Sequence, residues 1–169
     1  MRVLGIDPGT VVMGYGVVEE MGNDLVAVDY GALKAASRLS LAERLYSLYQ
    51  DLEDVIVRCH PDELAVEEPF VAENVRSALA IGRAQAVAMM AAARHKLPIT
   101  GYAPAKVKQV IADYGCSDKK QMQRMISLQL NLQSIPEPAD AADALALALC
   151  HLQAMRQAGI IAKSERSGR

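Results

Sequence analysis

Val3-Leu4-Gly5-Ile6-Asp7-Pro8-Gly9-Thr10 carries an apolar strand into a carboxylate and a turn, and Gly14-Tyr15-Gly16-Val17-Val18 brings the chain back as a hairpin. Strands buried on both faces have nearly continuous apolar runs, so an Asp closing one is poor packing material. The alternative is a plain turn residue, since Asp before Pro-Gly is common in turns. Two more acidic ends follow downstream. Glu67 closes Leu64-Ala65-Val66, and Asp140 and Asp143 open an apolar helix.

Outward from the first hairpin, residues 2–6, 12–19 and 24–33 read as three strands of an antiparallel meander, with turns at Gly9 and Gly22-Asn23-Asp24. Ser40 and Glu43 have capping-box spacing. Leu41, Leu45, Leu48, Leu52 and Ile56 then recur every three or four residues, which predicts an amphipathic helix over 41–58. A fourth strand spans 63–67 and a connection 69–72, followed by an Ala- and Met-rich helix over about 74–96. A fifth strand at 97–102 precedes helices over about 104–113, 118–130 and 140–157. The first, fourth and fifth strands can lie parallel through right-handed crossovers. The expected fold is α/β, a five-stranded mixed sheet with helices on both faces. One domain over 1–157 is expected, with a polar, disordered tail over 158–169.

The composition narrows the function. Apolar residues make up 51% of the 169 and charged residues 22%, ordinary for a soluble domain. No apolar run is long enough to span a membrane, and no signal peptide is visible, so a cytoplasmic location and no membrane partner are expected. Cys59, Cys116 and Cys150 form no C-x-x-C pair, and His60, His95 and His151 lack ligand spacing, which argues against zinc. A net charge of −2 argues against a protein that coats nucleic acid non-specifically, though not against one with a local basic surface.

Carboxylates on different elements select hard cations such as Mg²⁺ or Mn²⁺. Two such ions activate a water and stabilise the leaving oxygen in phosphodiester hydrolysis. Asp140 and Asp143 lie three apart, on one helical face and in a first turn that favours anions. Asp140 reads equally well as an N-cap, and Glu67 and Glu68 as a solvated strand end. Strand alternation puts Glu67 with Ala65 and Glu68 with Val66, and Glu67 is the favoured ligand. Lys106, Lys108, Lys119, Lys120 and Arg124 form the densest basic region before the tail, suited to backbone phosphates or simply to solvent.

The chain resembles the RuvC family of Holliday-junction resolvases, nucleases of the RNase H-like fold. The resemblance runs over about residues 1–155. Gly5-Ile6-Asp7-Pro8-Gly9-Thr10 with its hairpin looks like the family's first motif, and Ala65-Val66-Glu67-Glu68-Pro69-Phe70 like its second acidic strand. Ser77 to Ala84 resembles its long helix, Val107-Lys108-Gln109 with residues 115–123 its lysine-bearing region, and Ala139 to Ala146 its final acidic helix. The resemblance implies a crossover junction endodeoxyribonuclease that makes paired symmetric nicks in recombination and repair. It implies metal-binding catalytic roles for Asp7, Glu67, Asp140 and Asp143, with two Mg²⁺ per subunit and Mn²⁺ as a substitute. It places Lys108 and Lys119 near the scissile phosphate. Phe70 stands where the family has an aromatic beside the junction centre, and from the chain's own basic residues Arg76, Lys106, Lys120 and Arg124 are expected as further DNA contacts. It further implies a homodimer on four-way junction DNA and the branch-migration partners RuvA and RuvB. Small residues at Ala78, Gly82 and Ala86 suit close approach by a second helix or by the chain's own sheet.

Three other functions compete. An actin-like ATPase shares the Asp-x-Gly-Thr turn, but needs a second related domain that 169 residues do not provide. A different RNase H-like nuclease would prefer duplex DNA or RNA–DNA hybrids. A scaffold would bind junctions without cutting them, and nothing in the intact acidic set favours that.

Overall fold

The computed structural model describes residues 1–68, 75–112 and 118–167. Five strands form one sheet in the order β3-β2-β1-β4-β5: β1 (Arg2–Asp7), β2 (Val12–Met21), β3 (Asp24–Lys34), β4 (Glu63–Glu67) and β5 (Ile99–Tyr102). β1, β2 and β3 are antiparallel neighbours, and β4 and β5 join β1 in parallel. The helices are α1 (Leu41–Cys59), α2 (Val75–Arg94), α3 (Pro104–Ala112), α4 (Lys119–Gln129) and α5 (Ala139–Ser167).

Strand alternation divides the interior into two cores. Leu4, Ile6, Leu64 and Val66 face α1 and α2, where Leu48, Leu52, Ala88 and Ala91 pack on them. Val3 and Ala65 face the other way, toward Ile111 of α3, Ile126 of α4 and Leu145 and Leu149 of α5. Burying each Leu or Ile contributes roughly 1.5–3 kcal/mol. The box at Ser40 forms in both directions: the Ser40 backbone N–H donates to Glu43 Oε2 and the Glu43 N–H to Ser40 Oγ.

The observed fold is the expected α/β sandwich, and most element ends fall within two residues of expectation. α5 differs: it continues to Ser167 instead of stopping near residue 157, so helix replaces most of the expected tail. Residues 160–166 contain good helix formers, and the single Gly159 costs only about 1 kcal/mol. Asp140 is the second residue of α5, inside the helix rather than its N-cap. No described helix is long and apolar enough to cross a membrane. Phe70 lies outside the described residues.

Candidate active site

Glycines let α5 lie directly on the sheet. A Cβ on Gly5 of β1 would run into the Ala144 carbonyl, and one on Gly14 of β2 into the Asp140 backbone. At Gly16 it would stand 2.7 Å from the Leu145 nitrogen. Helix backbone thus rests on strand backbone, and the first turn of α5 is held beside the ends of β1 and β2. Asp7 ends β1 and pairs with Gly14 across the hairpin. Asp7 and Asp140 therefore meet at one end of the central strands.

β4 lies on the other side of β1 and presents Glu67 at its end. Glu67 and Asp143 line one cavity of about 350 Å³, together with Lys108, Asp118, Lys119, Val107, Met122 and Leu147. Glu68 faces away: its carboxylate folds over Gly101 of β5, so close that a Cβ there would collide with it. Lys119 Nζ donates to Asp143 Oδ2 at 2.7 Å.

The electrostatics tie the acids together. Asp7 is pushed up from 3.8 to about 7, first by burial, then by Glu67, Asp143 and Asp140, against the lowering effect of Lys119. Glu67 is also raised, by burial and then by Asp143, while Lys108 and Lys119 oppose the rise. The Lys119 ammonium is held protonated by its hydrogen bond to Asp143 and by the fields of Asp143, Asp7 and Asp140. A like charge close by disfavours the ionised form of a carboxyl, and a cation among such groups favours it. An all-oxygen set of this kind chemically fits a hard divalent ion. Among the described residues no three acidic, His or Cys side chains are already arranged to hold one.

The structure brings together Asp7, Glu67, Asp140, Asp143, Lys108 and Lys119. Lys106, Lys120 and Arg124 are exposed on α3 and α4, and Arg76 is exposed at the start of α2; none of these lines the cavity. Sequence reasoning missed Asp118. It caps α4, accepting from the Gln121 backbone N–H at 2.8 Å, and it borders the cavity. An Asp three residues before a Gln was its visible signal. The apolar floor of Val107, Met122 and Leu147 has no such signal, because only tertiary packing assembles it.

The family model described as crossover junction endodeoxyribonuclease RuvC matches residues 3–151. A protein of that name from Dehalococcoides mccartyi is 51% identical over 151 residues, covering 89% of this chain and 90% of the relative. One from Chloroflexus aggregans is 51% identical, covering 89% of this chain and 92% of the relative. Among solved structures, Thermus thermophilus RuvC in complex with a Holliday junction substrate superimposes with a TM-score of 0.84 at 31% identity, covering 93% of this chain and 96% of that one. The match spans the hairpin that carries Asp7, the end of β4 and the first turns of α5, and the chain belongs to the RuvC family of crossover junction endodeoxyribonucleases.

Proposed function

We propose that this chain resolves four-way DNA junctions, using Asp7, Glu67, Asp140 and Asp143 to hold two Mg²⁺ ions, with Mn²⁺ as a working substitute. The observation that carries the reading is the mutual field of Asp7, Glu67, Asp140 and Asp143, two of which, Glu67 and Asp143, line a cavity together with Lys108 and Lys119. Bound metal would supply an activated water and neutralise charge on the departing oxygen. The chain's own part is to place carboxylates from β1, β4 and α5 at one point and to draw them together around the ions. Lys108 and Lys119 then face the phosphate as fixed cations at a site where charge develops. Asp118 keeps the first turn of α4, and with it Lys119, in place.

Lys106, Lys120, Arg124 and Arg76 would contact backbone phosphates farther out, which adds affinity without choosing sequence. Phe70 would contact bases beside the junction centre. Phe70→Ala should therefore melt near wild type and cleave poorly, whereas a core Phe would cost about 3–5 kcal/mol.

We assign a homodimer to the working enzyme. Val75, Leu79, Gly82, Ala86 and Met90 follow one face of α2 at spacings of three and four. Val75, Leu79 and Met90 are more than half exposed, and nothing lies within 4 Å of a Cβ built on Gly82. A two-fold assembly through that face supplies the second active site that paired nicks require. Cooperation with RuvA and RuvB fits the same task. A cytoplasmic location fits a DNA substrate and relatives such as those of Dehalococcoides and Chloroflexus.

Product mapping on a mobile four-way junction with Mg²⁺ tests the reading. Paired nicks, symmetric across the junction, are expected. Cutting of plain duplex or RNA–DNA hybrid at equal rates would return the chain to general RNase H-like nucleases. Tight binding with no cleavage in any divalent ion would make it a scaffold.

A further inference from the structure

His151 stands two turns beyond Asp143 on α5 and is 2% exposed. Both its ring nitrogens are bonded. Nδ1 lies 2.9 Å from Tyr102 Oη, and Nε2 lies 2.8 Å from Glu63 Oε2. The two rings meet edge to face at 87°. Burial, with Cys150 and Glu63 adding to it, pushes the Tyr102 phenol up to about 12, so at neutral pH it keeps its proton. With the ring neutral and Nε2–H donating to the Glu63 carboxylate, Nδ1 accepts from that phenol. One side chain on α5 is thus bonded at once to the start of β4 and the end of β5.

Glu63 and Glu67 are the two ends of β4 and point to the same face, being four residues apart. Four strand residues span about 13 Å. His151 and Asp143 are eight apart on α5, which is about 12 Å of helix rise, and they share a face. The two lengths match and run in opposite directions. With Glu63 bonded to His151, Glu67 arrives opposite Asp143, and both border the same cavity. Tyr102 adds a third fixed point, because it pairs with Glu67 in the β4–β5 ladder and its carbonyl accepts from the Glu68 N–H at 2.9 Å. Arg156 Nε, farther along α5, donates to Glu20 Oε1 of β2 at 2.6 Å and ties the helix to the opposite side of the sheet; toward β4 and β5 the other packing contacts are apolar, and these resist sliding along the helix axis less than directed hydrogen bonds do.

We propose that His151 is a positioning residue: its bonds to Glu63 and Tyr102 set the axial register of α5 against β4 and β5, and through it the spacing of Asp143 from Glu67. This rests on the reading of Glu67 and Asp143 as metal ligands. Losing His151 leaves Glu63 and Tyr102 without that partner, at a cost limited by the partial exposure of both to water, while partners that orient metal ligands typically govern about tenfold or more in metal affinity.

The test is Mn²⁺ binding to the full-length protein by calorimetry, with melting measured alongside. His151→Leu should remain folded with a lowered melting temperature and bind Mn²⁺ about tenfold more weakly. His151→Gln keeps a donor toward Glu63 and should recover most of that loss. Leu48→Ala, in the core on the opposite face of the sheet, should lower the melting temperature and leave Mn²⁺ affinity alone. Wild-type affinity in His151→Leu, or an equal loss in Leu48→Ala, overturns the proposal. If His151→Leu does not fold, Tyr102→Phe decides: it removes one bond at constant volume, a severalfold loss supports the proposal, and unchanged affinity overturns it. The ligand reading fails separately, if Glu67→Gln with Asp143→Asn leaves wild-type Mn²⁺ binding intact.

Discussion

Asp7 is the residue at which folding and function pull hardest against each other. Its folded pKa, about 7, lies above the 3.8 of a free carboxyl. Between those values the folded chain holds a proton that the unfolded chain has lost, so stability falls as pH rises through the window. The full shift sets an upper bound of about 4 kcal/mol. Metal-free protein should therefore melt lower at pH 8 than at pH 5.5 from this source. Asp7→Asn should remove most of that fall and melt several degrees above wild type at pH 8, as differential scanning calorimetry would record. The same variant should lose cleavage by roughly 100-fold or more, as should Glu67→Gln, Asp140→Asn and Asp143→Asn, with junction binding largely kept because phosphate contacts elsewhere supply it. Glu68→Gln should cost far less than Glu67→Gln, since Glu68 folds over Gly101 on the other face. A reversed ranking in a gel cleavage assay would overturn the assignment. At Lys108 and Lys119, replacement by Ala should slow the single-turnover rate more than it weakens binding. An affinity loss at unchanged rate would make both ordinary phosphate anchors.

At the scale of elements, the site depends on how closely α5 approaches β1 and β2. Gly14→Ala places a methyl against the Asp140 backbone, where no flexible side chain can yield. The helix must lift, and Asp140 moves with it. We expect a loss of about 1–3 kcal/mol from overpacking and a loss of cleavage larger than such destabilisation explains. Gly82→Ala on α2, with open space around it, is the matched control for folding in a monomer-stability assay. Much of this scale was legible in the chain. The Leu spacing of α1, the capping box at Ser40 and the strand ended by Asp7 are local patterns, and the structure follows them. The Asp140–Asp143 spacing also reads directly, because three residues bring two side chains to one face. His151 was not legible: its meaning lies in Glu63 and Tyr102, which are 88 and 49 residues away. The length of α5 escaped because a polar composition resembles a tail whether or not it coils.

The proposed dimer is tested at the scale of the whole molecule. The apolar stripe on α2 belongs to the helix layer opposite α5, so a partner docking there leaves the face that carries the carboxylates open to DNA. Leu79→Arg or Met90→Arg should convert a dimer to a monomer by sedimentation analysis, with each chain still folded. The monomer should nick one strand slowly and lose coordinated second cuts. A variant that sediments as wild type would move the interface elsewhere. The sheet also separates two interiors, one under α1 and α2 and one under α3, α4 and α5. Heat resistance and chemistry can therefore be tuned apart. Substitutions in the first interior, at Leu48, Leu52 or Val87, should change thermal tolerance more than they move the carboxylates. In the second, a volume change at Leu145 bears directly on the turns of α5 that carry Asp140 and Asp143.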